Sequence, residues 1–224
     1  MTWILIGITL AGLVAVLAAE RTGRQGPQWV AKPLASAGFV AFALIATTRV
    51  ADDPILAGYA GWIVAGTVLS WAGDLLLIPK KTSRAFLLGL VSFLLAHVAY
   101  AGAFLTLGVP DARAWWIVLP LAVVAAVVLG WLWPRLDRRF RIAVPTYMAV
   151  ISTMLAGAVA ASPRPGGWMI GAGAGLFYLS DLFVARNRFV SPGFVNRAVG
   201  LPLYYAGQWL LVLSILTVAG RALA

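Results

Sequence analysis

Residues 70–81 read SWAGDLLLIPKK and set Asp74 in a run so apolar that the chain around it belongs in a membrane or a dry core. The stretch 176–188, LFYLSDLFVARNR, repeats the situation with Asp181, again followed within a few residues by positive charge. An acid inside a spanning helix costs about 2.5–3.5 kcal/mol on insertion scales, so it faces the bundle interior and finds a partner. Two such acids call for two explanations or one shared one.

The 224 residues are 62% hydrophobic and only 11% charged, with a mean hydropathy of +0.94. Soluble domains carry about 25% charge, so the composition predicts an integral membrane protein. The absence of cysteine excludes a disulfide scaffold and thiolate metal sites, and a single histidine excludes multi-histidine zinc sites. No G-x-S-x-G elbow, H-E-x-x-H, P-loop or dinucleotide fingerprint falls at a usable position. Chemistry without a metal or cofactor is therefore expected. The net charge of +10 is spread in short clusters between apolar runs, which read as topology signals and not as a nucleic-acid surface.

Apolar runs of spanning length lie near 2–19, 30–48, 55–78, 85–107, 114–133, 140–161, 167–185 and 199–220. They predict an all-α, polytopic fold of about eight transmembrane helices forming one transmembrane domain over 1–224. The first run has no basic residue ahead of it and is followed by Glu20 and Arg21, the wrong layout for a cleaved leader, so it is expected to be a true span. The odd connections hold 13 Lys and Arg against 4 in the even connections and C-terminus. This bias places the odd loops in the cytoplasm and both termini outside a bacterial-type inner membrane, with Asp52, Asp53 and Asp111 on the outer side.

A shift of 107 residues lays Gly66 on Gly173, Leu69 on Leu176, Trp71 on Tyr178, Asp74 on Asp181 and Leu75 on Leu182. It also brings Lys80 and Lys81 onto Asn187 and Arg188, and His97 onto Tyr204. Read as a parallel four-plus-four repeat with halves 1–110 and 111–224, this would turn both acids toward one central cavity.

Asp74 and Asp181 are candidate catalytic residues; the alternative is a structural pair with Lys32, Arg186 or a tyrosine. Each lies about 8–9 Å of helical rise from the first basic residue of its cytoplasmic end, so the site should open to the cytoplasm. Ser70 is one turn before Asp74, and Gly89, Phe93, His97 and Tyr100 form one stripe of the fourth span. That stripe suits a pocket wall, although helix packing through Gly89 and one hydrogen bond from His97 would explain it too. By helical rise from Arg84, His97 lies about 10 Å deeper than Asp74, so a direct contact between them would need a tilt, a kink or a different helix boundary. Tyr204 and Gln208 are one turn apart, and the Gln208 amide must be satisfied deep in the membrane. Tyr147 lies near the depth of the aspartates, Tyr205 reads as an interfacial aromatic, and GAGAG at 171–175 marks close helix packing. Lys32, before Pro33, either snorkels to the interface or binds phosphate at a helix start, with phosphate favoured.

Taken together, KPL at 32–34, S-x-x-G-D at 70–74, F-x-x-G-x-x-x-F-x-x-x-H-x-x-Y from Phe86 to Tyr100 and L-Y-Y-x-x-Q at 203–208 resemble the YhhN family. Gly173, Ala174, Phe177, Ser180 and Asp181 form a further motif of the same resemblance, which runs from the second span to the eighth. The family's members have eight spans, and the characterised ones are lysoplasmalogenases. The resemblance implies hydrolysis of the vinyl ether bond of a lysophospholipid substrate within the bilayer, releasing a fatty aldehyde and glycerophosphoethanolamine or glycerophosphocholine. Protonation of the vinyl β-carbon gives an oxocarbenium-like cation that water captures. This needs one carboxyl that carries a proton and one that stays anionic, as in glycosidases. On that reading Asp74 and Asp181 share the two roles in an open order, and His97 or Tyr100 orients water or shuttles a proton. Lys32, with Arg186 or Arg188, would hold the phosphate, while Ser70, Tyr147, Ser180, Tyr204 and Gln208 line the substrate site. The alternatives are a small carrier with proton-coupling aspartates, a hydrolase of another ether lipid, or a structural protein whose acids only fix packing.

Overall fold

The computed structural model describes residues 1–79, 83–108 and 115–222. Lys80, Lys81, Asp111 and Arg113, used above for topology and the repeat, lie outside the described residues. The described residues form eight α-helices: α1 (Thr2–Arg21), α2 (Gln28–Thr48), α3 (Pro54–Leu76), α4 (Ser83–Thr106), α5 (Trp115–Leu132), α6 (Phe140–Ala161), α7 (Trp168–Ala185) and α8 (Phe194–Val218). All eight are long and apolar enough to cross a membrane, and the described residues contain no strand. The protein is thus an all-helical integral membrane protein.

The boundaries follow local chemistry. α3 starts where Asp53 accepts hydrogen bonds from the backbone N–H of Ile55 (2.9 Å) and Leu56 (3.1 Å), with Pro54 in the first turn. α2 begins at Gln28, so Lys32 lies inside the helix and not at its start as the sequence reading had it. Pro33 forfeits one backbone bond there without ending the helix. α7 does not stop at Arg186 but continues through a π-helical turn, Arg186–Val190. α8 starts at Phe194, five residues before the predicted 199, which brings Asn196 and Arg197 into its first turn.

In a bundle surrounded by lipid the order is set by which helices exchange packing for lipid contact. α8 is enclosed, with 67% of its apolar window buried, whereas α5 has 6% and faces outward. α8 packs on α7 and touches α1, α2 and α3; α3 pairs with α4, and α6 bridges α4 and α7. The closest approaches use glycine. A Cβ on Gly173 would stand 2.9 Å from the Gly207 carbonyl oxygen, and one on Gly207 would stand 2.8 Å from that of Gly173, so α7 and α8 meet backbone to backbone. Gly173→Leu is therefore expected to cost about 1–3 kcal/mol by overpacking. Thermal unfolding in detergent checks this against Gly175→Leu, where nothing lies within 4 Å of the added Cβ and no comparable loss is expected.

Polar side chains then fix α8 in register. Ser214 meets Tyr59 at 2.5 Å, Gln208 accepts from Tyr100 (2.5 Å) and donates to Ser70 (3.0 Å), and Tyr204 donates to Asp74 (2.7 Å). Each of these rungs joins α8 to α3 or α4 and satisfies a group that lipid cannot.

Candidate active site

Asp74 lies in the last turn of α3, at the negative end of the helix dipole, where a carboxylate is electrostatically unwelcome. Lys32 removes the difficulty. Its Nζ lies 3.1 Å from Asp74 Oδ1 and donates to the Asp74 backbone carbonyl at 3.1 Å, so one ammonium neutralises the side chain and caps the helix end. Ser36, one turn after Lys32, and Tyr204 each donate to Asp74 Oδ2 at 2.7 Å. Three donors from two helices converge on a carboxyl that is 2% exposed. This is the setting of a buried, ion-paired carboxylate.

Asp181 stands in different company. Tyr147 of α6 donates to its Oδ2 at 2.6 Å, and His97 Nε2 of α4 lies 3.5 Å from the same oxygen. Among the described residues no lysine or arginine forms an ion pair with it. The His97 Nδ1 is 2.6 Å from the Phe93 carbonyl, which can only accept, so Nδ1 carries hydrogen and Nε2 is the nitrogen turned toward Asp181. The depth discrepancy noted for His97 resolves at α7. Because the π-helical turn extends to Val190, Asp181 sits about 13 Å of helical rise from that end, deeper than the sequence suggested. His97 thus meets Asp181 and not Asp74.

Both aspartates line one narrow, mainly apolar cavity, together with Lys32, Tyr147, Ser180, Asn196, Arg197 and Tyr204. Ser70, His97, Tyr100 and Gln208 lie behind its wall. Ser70, Tyr100 and Gln208 bond one another, and His97 reaches the cavity only through Asp181. Ser180 lines the cavity while its hydroxyl donates to the Phe177 carbonyl at 2.8 Å. Arg186 donates to Asn196 Oδ1 at 2.5 Å and lines neither this cavity nor the wider polar one beside it. Tyr205 is not interfacial: it is 2% exposed, with its hydroxyl 3.4 Å from Ser36 Oγ, because α8 is enclosed at that level.

Sequence reading missed Ser36, Asn196 and Arg197. Ser36 had a signal in its position four residues after Lys32 on one helical face. Arg197 lies seven residues before Tyr204, on the same stripe, and had entered only as a topology charge. A further relation spans the halves. Tyr204 bonds Asp74 and His97 approaches Asp181, so each acid is met by the residue that the 107-residue shift assigns to its opposite half. Gly66, whose added Cβ would strike the Tyr100 ring, corresponds in the same way to Gly173 against Gly207.

The described residues thus form an eight-helix membrane bundle in which two carboxyls in unlike settings face one cavity. The chain belongs to the YhhN family, whose model matches residues 27–215. It is 33% identical over 149 residues to a lysoplasmalogenase of Mycobacterium bovis, a match covering 65% of this chain and 55% of that one. It is also 33% identical over 160 residues to lysoplasmalogenase TMEM86A of Bos taurus, covering 68% of this chain and 64% of the relative. With lysoplasmalogenase TMEM86B of Sus scrofa the identity is 33% over 160 residues, covering 70% and 65%. The match thus spans between about half and two thirds of the length of these relatives. No solved structure matches the chain significantly.

Proposed function

We propose that the protein hydrolyses the vinyl ether bond of a lysophospholipid within the membrane, with Asp181 as general acid and Asp74 as the fixed anion. The observation that carries this is the contrast between the two carboxyls on one cavity. Asp74 receives an ammonium and two hydroxyls, which hold it as a carboxylate, whereas Asp181 faces a phenol and an imidazole nitrogen, a setting in which it can carry a proton. The names of the relatives and the membership of the family point the same way.

The steps balance. Asp181 gives its proton to the β-carbon of the vinyl ether, and the electrons of the double bond leave the α-carbon as an oxocarbenium stabilised by the ether oxygen and by the Asp74 carboxylate. Water adds to the α-carbon and returns a proton to Asp181. The resulting hemiacetal collapses to a fatty aldehyde and the glycerol hydroxyl, for a net consumption of one water. Tyr147, on the cavity wall, and His97, behind it, orient the Asp181 carboxyl through its Oδ2. The apolar cavity wall takes the hydrocarbon chain, and its mouth lies at the end of the bundle carrying the odd, basic connections, which the charge bias turns to the cytoplasm. The exchanged contacts of the aspartates also support the reading of halves 1–110 and 111–224 as copies of one unit.

The test is free aldehyde from purified protein in detergent, supplied with 1-alkenyl lysophospholipid and, as controls, the saturated-ether and acyl analogues. Aldehyde from the vinyl ether alone is expected. A protein that binds the lipid without making aldehyde would instead fit a carrier, which needs two compartments and makes no new product.

A further inference from the structure

The narrow cavity that carries both aspartates is small, about 80 Å³. A protein cavity of about 150 Å³ takes up one benzene molecule, so a hydrocarbon chain enters this space only when a wall moves. One wall stands apart in its packing. Val144, Tyr147 and Met148 from α6 and Leu201 and Tyr204 from α8 are buried, whereas no residue from Asp181 to Val190, the end of α7 and its π-helical turn, is buried. Such loosely packed segments open at the lowest cost. The turn is also a partition. Phe189 lines the narrow cavity, while Asn187 and Arg188 line a wider, polar cavity of about 370 Å³ on its other side.

Three rings close that partition. Phe86 of α4, Phe140 at the start of α6 and Phe189 of the turn meet pairwise edge to face, with centroids 5.7 Å (Phe86–Phe140), 6.0 Å (Phe86–Phe189) and 5.2 Å (Phe140–Phe189) apart. Phe86 lines both cavities, so the plug sits at their junction. The Arg188 guanidinium lies over Phe86 at 4.6 Å and over Phe140 at 5.9 Å, which rests a second side chain of the turn on the same two rings. The ends of the turn are pinned to α8. Asn196, 2% exposed, accepts from Arg186 (2.5 Å) and donates to the Asn187 side chain (3.2 Å) and to the Ser191 carbonyl (2.7 Å). The part that can move lies between those pins and carries Phe189.

We propose that the turn Arg186–Val190 is a gate with Phe189 as its leaf. Closed on Phe86 and Phe140, it parts the aspartates from the polar cavity; withdrawn, it joins the two spaces and admits the ligand. π-Helical turns recur at functional sites because their wider spacing departs from the ordinary helix ladder, and here the Ser191 N–H bonds the Arg186 carbonyl, five residues back, at 2.9 Å. The gate rests on the function proposed above only for what enters.

The chain has no cysteine, so Ser180→Cys places a single thiol on the wall of the narrow cavity, at a position 2% exposed. Its alkylation by N-ethylmaleimide is followed by mass in the whole chain in detergent, with Thr22→Cys, at an exposed position, as reference. The cavity thiol is expected to react at least about 10-fold more slowly than the reference, because it reacts only through the open state. Phe140→Leu is expected to raise that slow rate about 3–10-fold, the worth of a lost aromatic pair read as a population, and to leave the reference rate alone. Phe140 lines neither cavity, so its loss loosens the plug without widening the space beside the thiol. Phe189→Leu should act in the same direction and serves if Phe140→Leu does not fold. Equal rates for the two thiols would mean a cavity that stands open and would overturn the gate, as would an unchanged cavity rate in either folded variant. A saturated 1-alkyl lysolipid is expected to slow alkylation of the cavity thiol. Faster alkylation in the variants without such protection would tell against the lipid reading of the cavity while supporting the gate.

Discussion

Asp181→Asn is expected to lower aldehyde release from a vinyl-ether lysolipid by about 10²–10⁴-fold, the range that a positioned general acid contributes. Binding of the saturated-ether analogue should stay within a few-fold of the wild type. The substitution keeps size and shape, and the amide oxygen still accepts from Tyr147, which now donates at 2.6 Å to Asp181 Oδ2. With the amide oxygen in that place its 3.5 Å separation from His97 Nε2 is unchanged, so the packing around α4, α6 and α7 has no reason to change. What is lost is the transferable proton. Rates measured in folded protein, with binding measured separately, therefore separate loss of chemistry from loss of the site. Activity within a few-fold of wild type in Asp181→Asn would remove Asp181 as the acid and, with it, the assignment of roles between the two carboxyls.

Much of the architecture was legible because membrane helices are written in long apolar runs, and all eight runs became helices. Their ends were less legible. The start of α8 was misjudged because Phe194, Val195 and Val199 are apolar while Asn196 and Arg197 interrupt them; these two residues instead turn inward to the cavity. The aspartates stood out because acids are rare in such runs, yet the sequence offered no means of pairing them with partners. Helical rise alone set His97 too deep for Asp74, correctly, but the extension of α7 that brings Asp181 to its level has no Pro, Gly or capping signal in RNRFV. Lys32 was seen at the right end of the molecule and given phosphate, whereas the structure spends it on Asp74 and on the last turn of α3. Of the charged residues that line the polar cavity beside the narrow one, Arg197 is the one that loop counting had reduced to a topology mark.

Lys32→Met is expected to be the most damaging single change to stability, because it removes the ammonium from a carboxylate that is 2% exposed and leaves the C-terminal carbonyl of α3 without its donor. Breaking one side of a buried ion pair costs about 3–5 kcal/mol, since the remaining charge has no solvent to turn to. Ser36 and Tyr204 would still donate to Asp74, but two neutral hydroxyls do not balance a full charge at the negative end of a helix. Thermal unfolding in detergent should therefore fall sharply in Lys32→Met and recover in large part in the double variant Lys32→Met with Asp74→Asn, where neither charge is present. That recovery makes the double variant the informative enzyme. It is folded, it keeps Asp181, Tyr147 and His97, and it lacks only the fixed anion, so it is expected to bind lipid and release almost no aldehyde. If Lys32→Met alone unfolds like the wild type, the ion pair is not what lets Asp74 stay charged. If the double variant hydrolyses the vinyl ether at the wild-type rate, the cation formed on protonation needs no carboxylate beside it, and Asp74 belongs to the scaffold of α3 and not to the reaction.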